Sequence, residues 1–341
     1  MKRRVLQFLV CPRCRGELQL AVVSREREGE VETGQIHCRA CGQRYPVIRG
    51  IPRLLPDAIA QDKQRTAAAF GWEWQEFNVL HDAPEVYQQQ FLDWISPLQP
   101  DFFQGKVVLD AGCGMGRFSA AAAGFGAKDV LAIDLSSAVE AAYLNTKDLE
   151  NVHVVQADIY NLPFQRPFDF TFSIGVLHHL PDPEGGFRAV VGHLKDGGSI
   201  FAWVYGRENN GWIVHAVNPL REKIFSRLPS PLLYGLTFLV TLVVHPILKL
   251  AYLPVSRLPA LSFLKGLLPY NGYLSWLAQF GFRHNHHVIF DHLTAPTAFY
   301  IRREEFLDWF RKAALSEPVV SWRNQNSWRG WAVLSYADSG H

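Results

Sequence analysis

Charge of one sign is missing from this chain: 34 Lys and Arg stand against 32 Asp and Glu, a net charge of +2 over 341 residues. Without a strong overall charge the chain makes no general claim on nucleic acid. Cysteine is scarce, five in all, and four of the five fall in two C-x-x-C pairs. That usage argues for metal binding in a reducing compartment and against a disulfide framework. No export signal is expected either, because the basic stretch MKRRVLQFLVCP has only a short apolar run that stops at Cys11 and Pro12. The expected location is cytoplasmic, or peripheral at the inner face of the membrane. With 48% apolar residues, the chain can bury a full α/β domain and one or two smaller modules. The neutrality is not uniform. In residues 1–56 Lys and Arg outnumber acids about two to one, and Arg207 to Tyr270 is also basic.

What the chain does have is Lys106 to Ser119, KVVLDAGCGMGRFS. Lys106 to Leu109 has the uninterrupted apolar character of a strand buried on both faces, as in a parallel sheet. Gly112, Gly114 and Gly116 let the backbone turn and approach a ligand that any Cβ would push away. The next strand, Asp129 to Ile133, closes on Asp134, where doubly wound folds put a carboxylate on ribose hydroxyls. Dinucleotide sites use G-x-G-x-x-G to seat a pyrophosphate; here an acid, Asp110, precedes the first glycine, which suits a cationic ligand better.

This pattern resembles motif I of the class I S-adenosylmethionine-dependent methyltransferases. The resemblance implies an α/β fold: a doubly wound, mostly parallel, seven-stranded Rossmann-like sheet with S-adenosyl-L-methionine at its rim. It implies cofactor contacts from Asp110, Gly112, Cys113, Gly114, Asp134 and Leu135, with Asp158 accepting from the adenine amino group and Ile159 packing on the ring. The string GVLHHLPDP follows the fourth strand and resembles the matching segment of quinone and other small-molecule methyltransferases. His178 and His179 are thus candidate catalytic bases near the acceptor. Adjacent residues point in different directions, so one of the two should face the pocket.

Cys11, Cys14, Cys38 and Cys41 have the spacing of a four-thiolate structural Zn²⁺ site. Together with YPVIRGIPRLLP the module, residues 1–56, resembles the small zinc-ribbon family that binds and activates methyltransferases acting on RNA and on translation factors. The ribbon is either a nucleic-acid contact or a solvated prop. Residues 57–100 read as two lead-in helices; the resemblance implies that they close over the cofactor, and Trp72, Trp74 and Tyr87 either line the pocket or, as the favoured reading, pack against the sheet.

Residues 101–206 and 300–337 complete the core, with a helix at Arg303 to Leu315 and a hairpin at Pro318 to Tyr336. Between them, residues 207–299 are an insertion too long to be a plain loop. Its run Leu232 to Leu253 is the most apolar in the chain, but Pro246 and Lys249 interrupt it. A single span would leave parts of one sheet on opposite sides of a bilayer. The favoured reading is therefore a helical cap, either soluble or dipping into a membrane surface with Arg221, Lys223, Arg227, Arg257 and Lys265 near headgroups. Beyond the run, His284, His286, His287, Asp291 and His292 crowd together in what reads as a loop. Asp291 and His292 are candidate acceptor contacts by resemblance to a segment of small-molecule methyltransferases. A second metal site there has no helix-pair spacing behind it.

The expected function is methyl transfer to a small apolar or lipid-linked acceptor at oxygen. The alternatives are an RNA methyltransferase guided by the ribbon, against which no N-P-P-Y-type tetrapeptide follows the fourth strand, and a non-catalytic partner protein. Nothing in the sequence speaks to the oligomeric state.

Overall fold

The computed structural model describes residues 1–77, 84–165 and 168–335. Its strands are β1 (Leu18–Arg27), β2 (Glu30–Cys38), β3 (Arg44–Ile48), β4 (Ile51–Leu54), β5 (Val107–Ala111), β6 (Asp129–Asp134), β7 (Val152–Ala157), β8 (Phe168–Ile174), β9 (Leu194–Tyr205), β10 (Leu315–Arg323) and β11 (Ser327–Leu334). The helices used below are α1 (Gln61–Glu76), α2 (Pro84–Ile95), α3 (Arg117–Gly124), α4 (Ala138–Thr146), α5 (Pro183–Val191), α6 (Asn218–Lys223), α7 (Ser230–Ile247), α8 (Leu253–Arg257), α9 (Asn271–Leu277), α10 (Phe282–Thr294) and α11 (Arg303–Lys312).

The strand order is β1-β2-β3-β4-β7-β6-β5-β8-β9-β11-β10. From β7 to β10 this is the expected seven-stranded, mostly parallel, doubly wound sheet, with β11 antiparallel to β9 and β10 antiparallel to β11. Every residue of β5 is buried, as a central strand covered on both faces requires. The chain leaves β5 toward β6 and β7, then returns to its other side at β8. That reversal opens a crevice at the carboxyl ends of β5 and β8, where ligands bind in such folds.

One feature was not foreseen from the sequence. The ribbon does not stop short of the core: β4 runs parallel to β7, with Arg53 opposite Gln156 and Leu54 opposite Ala157, so the ribbon extends the sheet to eleven strands. Burial of Ile51 and Leu54 explains the join, because an exposed apolar edge would otherwise remain on β7. One helix ends earlier than expected, α11 at Lys312, and Leu315 already belongs to β10. Tyr336, the expected end of the last hairpin, lies outside the described residues.

The insertion departs further from expectation. His284 to His292 is not a loop but most of α10. Pro246 and Pro254 do not break the apolar run either. The chain passes Pro246 within α7, widens into a π-turn at Leu248–Tyr252 and continues through α8, where Pro254, with no N–H to give to the helix, follows directly on that widened turn. Arg221, expected near headgroups, is fully buried, with Nη2 3.5 Å from the Ala298 carbonyl.

Candidate active site

The glycine loop leaves β5 with φ of +93° at Gly112, +52° at Gly114 and +81° at Gly116. Two of these glycines are required by close approach. A Cβ on Gly112 would lie 2.3 Å from Val176 Cγ2, and one on Gly114 would meet the Trp74 indole at 3.0 Å. The loop therefore presents bare backbone to one end of a cavity of about 730 Å³, a size typical of small-molecule sites.

At that end the wall includes the anticipated Gly112, Cys113, Gly114, Asp134, Leu135, Asp158 and Ile159, together with Met115, Ser136 and Ala157. Asp134 accepts from Gly114 N–H (3.1 Å) and from both the N–H (2.8 Å) and the hydroxyl (2.7 Å) of Ser136, so the second strand's acid also pins the first strand's loop. Asp158 caps the turn after β7 through Tyr160 N–H (3.0 Å) and pairs with Lys63 Nζ at 2.7 Å. Asp110 stands behind the loop and is not on the cavity wall. Its carboxyl accepts from Ser119 Oγ at 2.6 Å, and burial, with Asp134 nearby, pushes its pKa up to about 7.

Helix α1 closes this end. Lys63, Ala67, Phe70 and Trp74 recur at helical spacing along its cavity face. Of the two uses open to Trp74, packing on the sheet and lining the pocket, the second holds: it lines the cavity. Trp72 packs against Tyr234 and Phe290 of the insertion.

The opposite wall comes from β9 and the insertion: Trp203, Tyr205, Tyr273, Trp276, His284, His287, Asp291 and His292, with His179 beside them. Of the double histidine one member faces the cavity. His179 donates from Nδ1 to the Thr297 carbonyl (2.6 Å), which fixes its tautomer, and burial holds its pKa down at about 3. His178 is fully buried behind it, off the wall, with its ring centroid 3.9 Å from that of Tyr205. Both of its ring nitrogens lack a hydrogen-bond partner among the described residues.

Asp291 is the one anticipated acceptor residue with a pKa in a useful range. Burial and the nearby Glu73 carboxyl push it up to about 7, against the opposing pull of His287 and Arg117. Glu73, on α1, is fully buried with its pKa well above the carboxylate range, and its Oε1 lies 2.8 Å from His287 Nε2. Burial holds His287 down at about 4. Tyr273 hydroxyl lies 3.0 Å from His292 Nε2, and burial holds that histidine at about 4 as well. The Arg117 guanidinium lies over the Trp74 ring at 5.4 Å. Glu73, Arg117 and Tyr273 are not marked by the sequence reading, and His287 is visible there only as one of a crowd of histidines. Their signal was present in the spacing of His284, His287 and Asp291 along one helix face and in an acid, Glu73, set between two tryptophans.

In the ribbon the four cysteine sulfurs lie within 4.8 Å of one another, with Cys11 to Cys41 at 3.8 Å and Cys14 to Cys38 at 3.4 Å. A tetrahedron with Zn–S near 2.3 Å has edges of about 3.8 Å, so the donor set fits structural zinc. Tyr45 hydroxyl sits 3.2 Å from Cys11 Sγ and can donate to it. Among the described residues this is the one cluster of three or more ligand-type side chains grouped closely enough to hold a metal ion, and the insertion's histidines form none. At the crevice the bare loop, Asp134 and Asp158 likewise fit a cationic nucleoside such as S-adenosylmethionine.

Residues 109–202 match the family model described as a methyltransferase domain, and residues 2–50 match that of Trm112p-like protein. A ubiquinone biosynthesis O-methyltransferase of Albidiferax ferrireducens is 31% identical over 159 residues, 45% of this chain and 60% of that relative. A tRNA U34 carboxymethyltransferase of Pseudoalteromonas translucida is 33% identical over 114 residues, 33% of this chain and 34% of that relative. The chain thus spans less than two thirds of these relatives. A solved complex containing the Haloferax volcanii Trm112 methyltransferase activator covers 79% of this chain at 15% identity, with a TM-score of 0.45.

Proposed function

From a methyltransferase domain set behind a Trm112p-like domain, we propose that the protein is an S-adenosylmethionine-dependent methyltransferase whose acceptor is a small apolar or lipid-linked molecule, methylated at oxygen. One observation carries the reading: a single cavity joins the glycine loop and Asp134 to a chamber of aromatic rings that contains Asp291. Bound S-adenosylmethionine supplies a methyl group on a sulfonium, ready for in-line displacement. The chain supplies the rest. Gly112 and Gly114 admit the cofactor, Asp134 takes the ribose hydroxyls, Asp158 and Ile159 hold the purine, and α1 excludes water from above.

The proton-accepting role passes from His178 and His179 to Asp291. A base whose pKa lies near the working pH combines availability with driving force, whereas histidines held at about 3 or 4 bind a proton too weakly. His179 and Tyr205 instead shape the acceptor's position. The polar groups of this wall (Tyr273, Asp291, His292) suit an acceptor with one polar end and an apolar body.

A second reading, an RNA acceptor, draws on the Trm112p-like domain and on the tRNA-modifying relative. Incubation of the protein with methyl-labelled cofactor and fractionated cell extract separates the two. Label in the lipid or small-metabolite fraction is expected; label in RNA would replace the first reading with the second.

A further inference from the structure

The insertion carries a surface that methyl transfer alone does not require. Leu233, Thr237, Thr241 and Leu248 form the buried stripe of α7 and its continuation. On the opposite side Leu232, Leu236, Leu239, Val243, Ile247 and Leu250 are exposed, Val243 to 64% and Leu250 to 79%. Their spacing of four, three, four, four and three residues makes one continuous helical stripe. No exposed residue from Pro231 to Leu250 has a side chain able to donate or accept a hydrogen bond. Leu258, Phe263 and Leu267 prolong the apolar patch.

Charge is distributed to match. Between Glu208 and Asp291 a single acid, Glu222, stands against seven Lys and Arg. Lys223 and Arg227 are exposed before α7, and Arg257 and Lys265 after it. None of these four makes an ion pair among the described residues. The inner side of the insertion, meanwhile, reaches the reaction chamber, because Trp212, Ile213, Val217 and Val244 line the same cavity as the glycine loop.

We propose that the outer face of α7 and α8 docks the protein on the surface of an anionic lipid bilayer, and that the acceptor is an amphiphile drawn from that bilayer. The second clause rests on the methyltransferase reading; the first does not. Lipid is the occupant that fits. A protein interface of this size needs a hydrogen bond for every 100–200 Å² or so, which this face cannot supply, whereas hydrocarbon asks for none. The helix Ser230–Arg257 is long and apolar enough to cross a membrane, at about 42 Å, but its inner stripe packs on α10, with Leu233 in one cluster with Phe290. Thr237 Oγ1 is 3.0 Å from His286 Nε2 on α10, so a spanning orientation would expose that polar stripe to lipid. Exposed cations at both ends then meet anionic headgroups while the stripe enters the acyl boundary.

The test is flotation of the purified full chain with phosphatidylglycerol–phosphatidylethanolamine vesicles and with phosphatidylcholine vesicles, alongside the double variant Leu239→Glu, Val243→Glu. The parent is expected to partition onto the anionic vesicles at least tenfold more strongly than onto the neutral ones, and less so as salt is raised. The double variant should lose that partition by tenfold or more. Its S-adenosylmethionine affinity, measured in the same preparation, should stay within twofold, which certifies the fold because both side chains point outward. Absence of parent binding, or equal binding by the variant, overturns docking. So does a lipid-free parent dimer that the variant converts to monomer, since the face would then join two copies of this chain. Intact docking without cofactor affinity would strike the methyltransferase reading alone.

Discussion

The two walls of the cavity are built in different ways. Beside the glycine loop the wall is mostly backbone and short acids delivered by three consecutive strand ends, all within residues 110–159. Its shape follows from turn geometry: φ of +93° at Gly112 leaves no room for a Cβ, and Asp134 locks Gly114 by a hydrogen bond. Across the cavity the wall is made of long side chains from β9, α9 and α10, gathered from positions 203 to 292. There the chemistry is set by burial. The same desolvation that lifts Asp291 to about 7 drops His287 and His292 to about 4. One wall is a local device for holding a cofactor; the other is a tertiary device for tuning protons.

Substitutions that strike one wall and spare the other sharpen this contrast. Asp291→Asn should lower the rate of methyl transfer about a hundredfold or more while S-adenosylmethionine affinity changes less than about twofold. In the parent the rate should rise with pH through about 7, as Asp291 ionises, and the variant's profile should lose that limb. An equal loss of affinity and rate would mean that the walls are not separable. Substituting the ribbon tests whether either wall depends on zinc. Cys38→Ser should release the metal and cost about 3 kcal/mol or more of stability, read by denaturant titration, yet leave cofactor affinity within about threefold. Retained stoichiometric zinc would refute the four-thiolate assignment.

The smallest effect concerns stability against pH. The folded-state pKa of Asp291 lies above its unfolded value of about 3.9, so its contribution is fully present below pH 4 and is lost as pH rises through about 7. Relative to the parent, Asp291→Asn should therefore gain thermal stability between about pH 4 and about pH 7. A constant offset in Tm across that range would place the Asp291 titration elsewhere.

The same contrast explains what could be read from the chain alone. Asp110 to Gly114, Asp134 and Asp158 were visible because each follows an apolar strand at a spacing that the fold imposes. Asp110 still turned out to brace the loop through Ser119, a contact nine residues away that spacing does not announce. The cysteine quartet was visible for a similar reason, since two tight turns bring four sulfurs together. The join of β4 to β7 was not, because pairing between strands about a hundred residues apart leaves no local mark. Nor was α10, where polar histidines masked a helix whose buried face only the surrounding insertion makes intelligible. Glu73 and His287 meet across 214 positions of sequence, and nothing short of the folded chain connects them.

The most direct test of the central claim is calorimetric titration of S-adenosylmethionine into the parent protein and into Asp134→Ala. The parent should bind one equivalent, and the variant, deprived of both ribose contacts, should bind more than tenfold more weakly while remaining folded. No heat with the parent, or the same affinity in both, would contradict the assignment of this crevice.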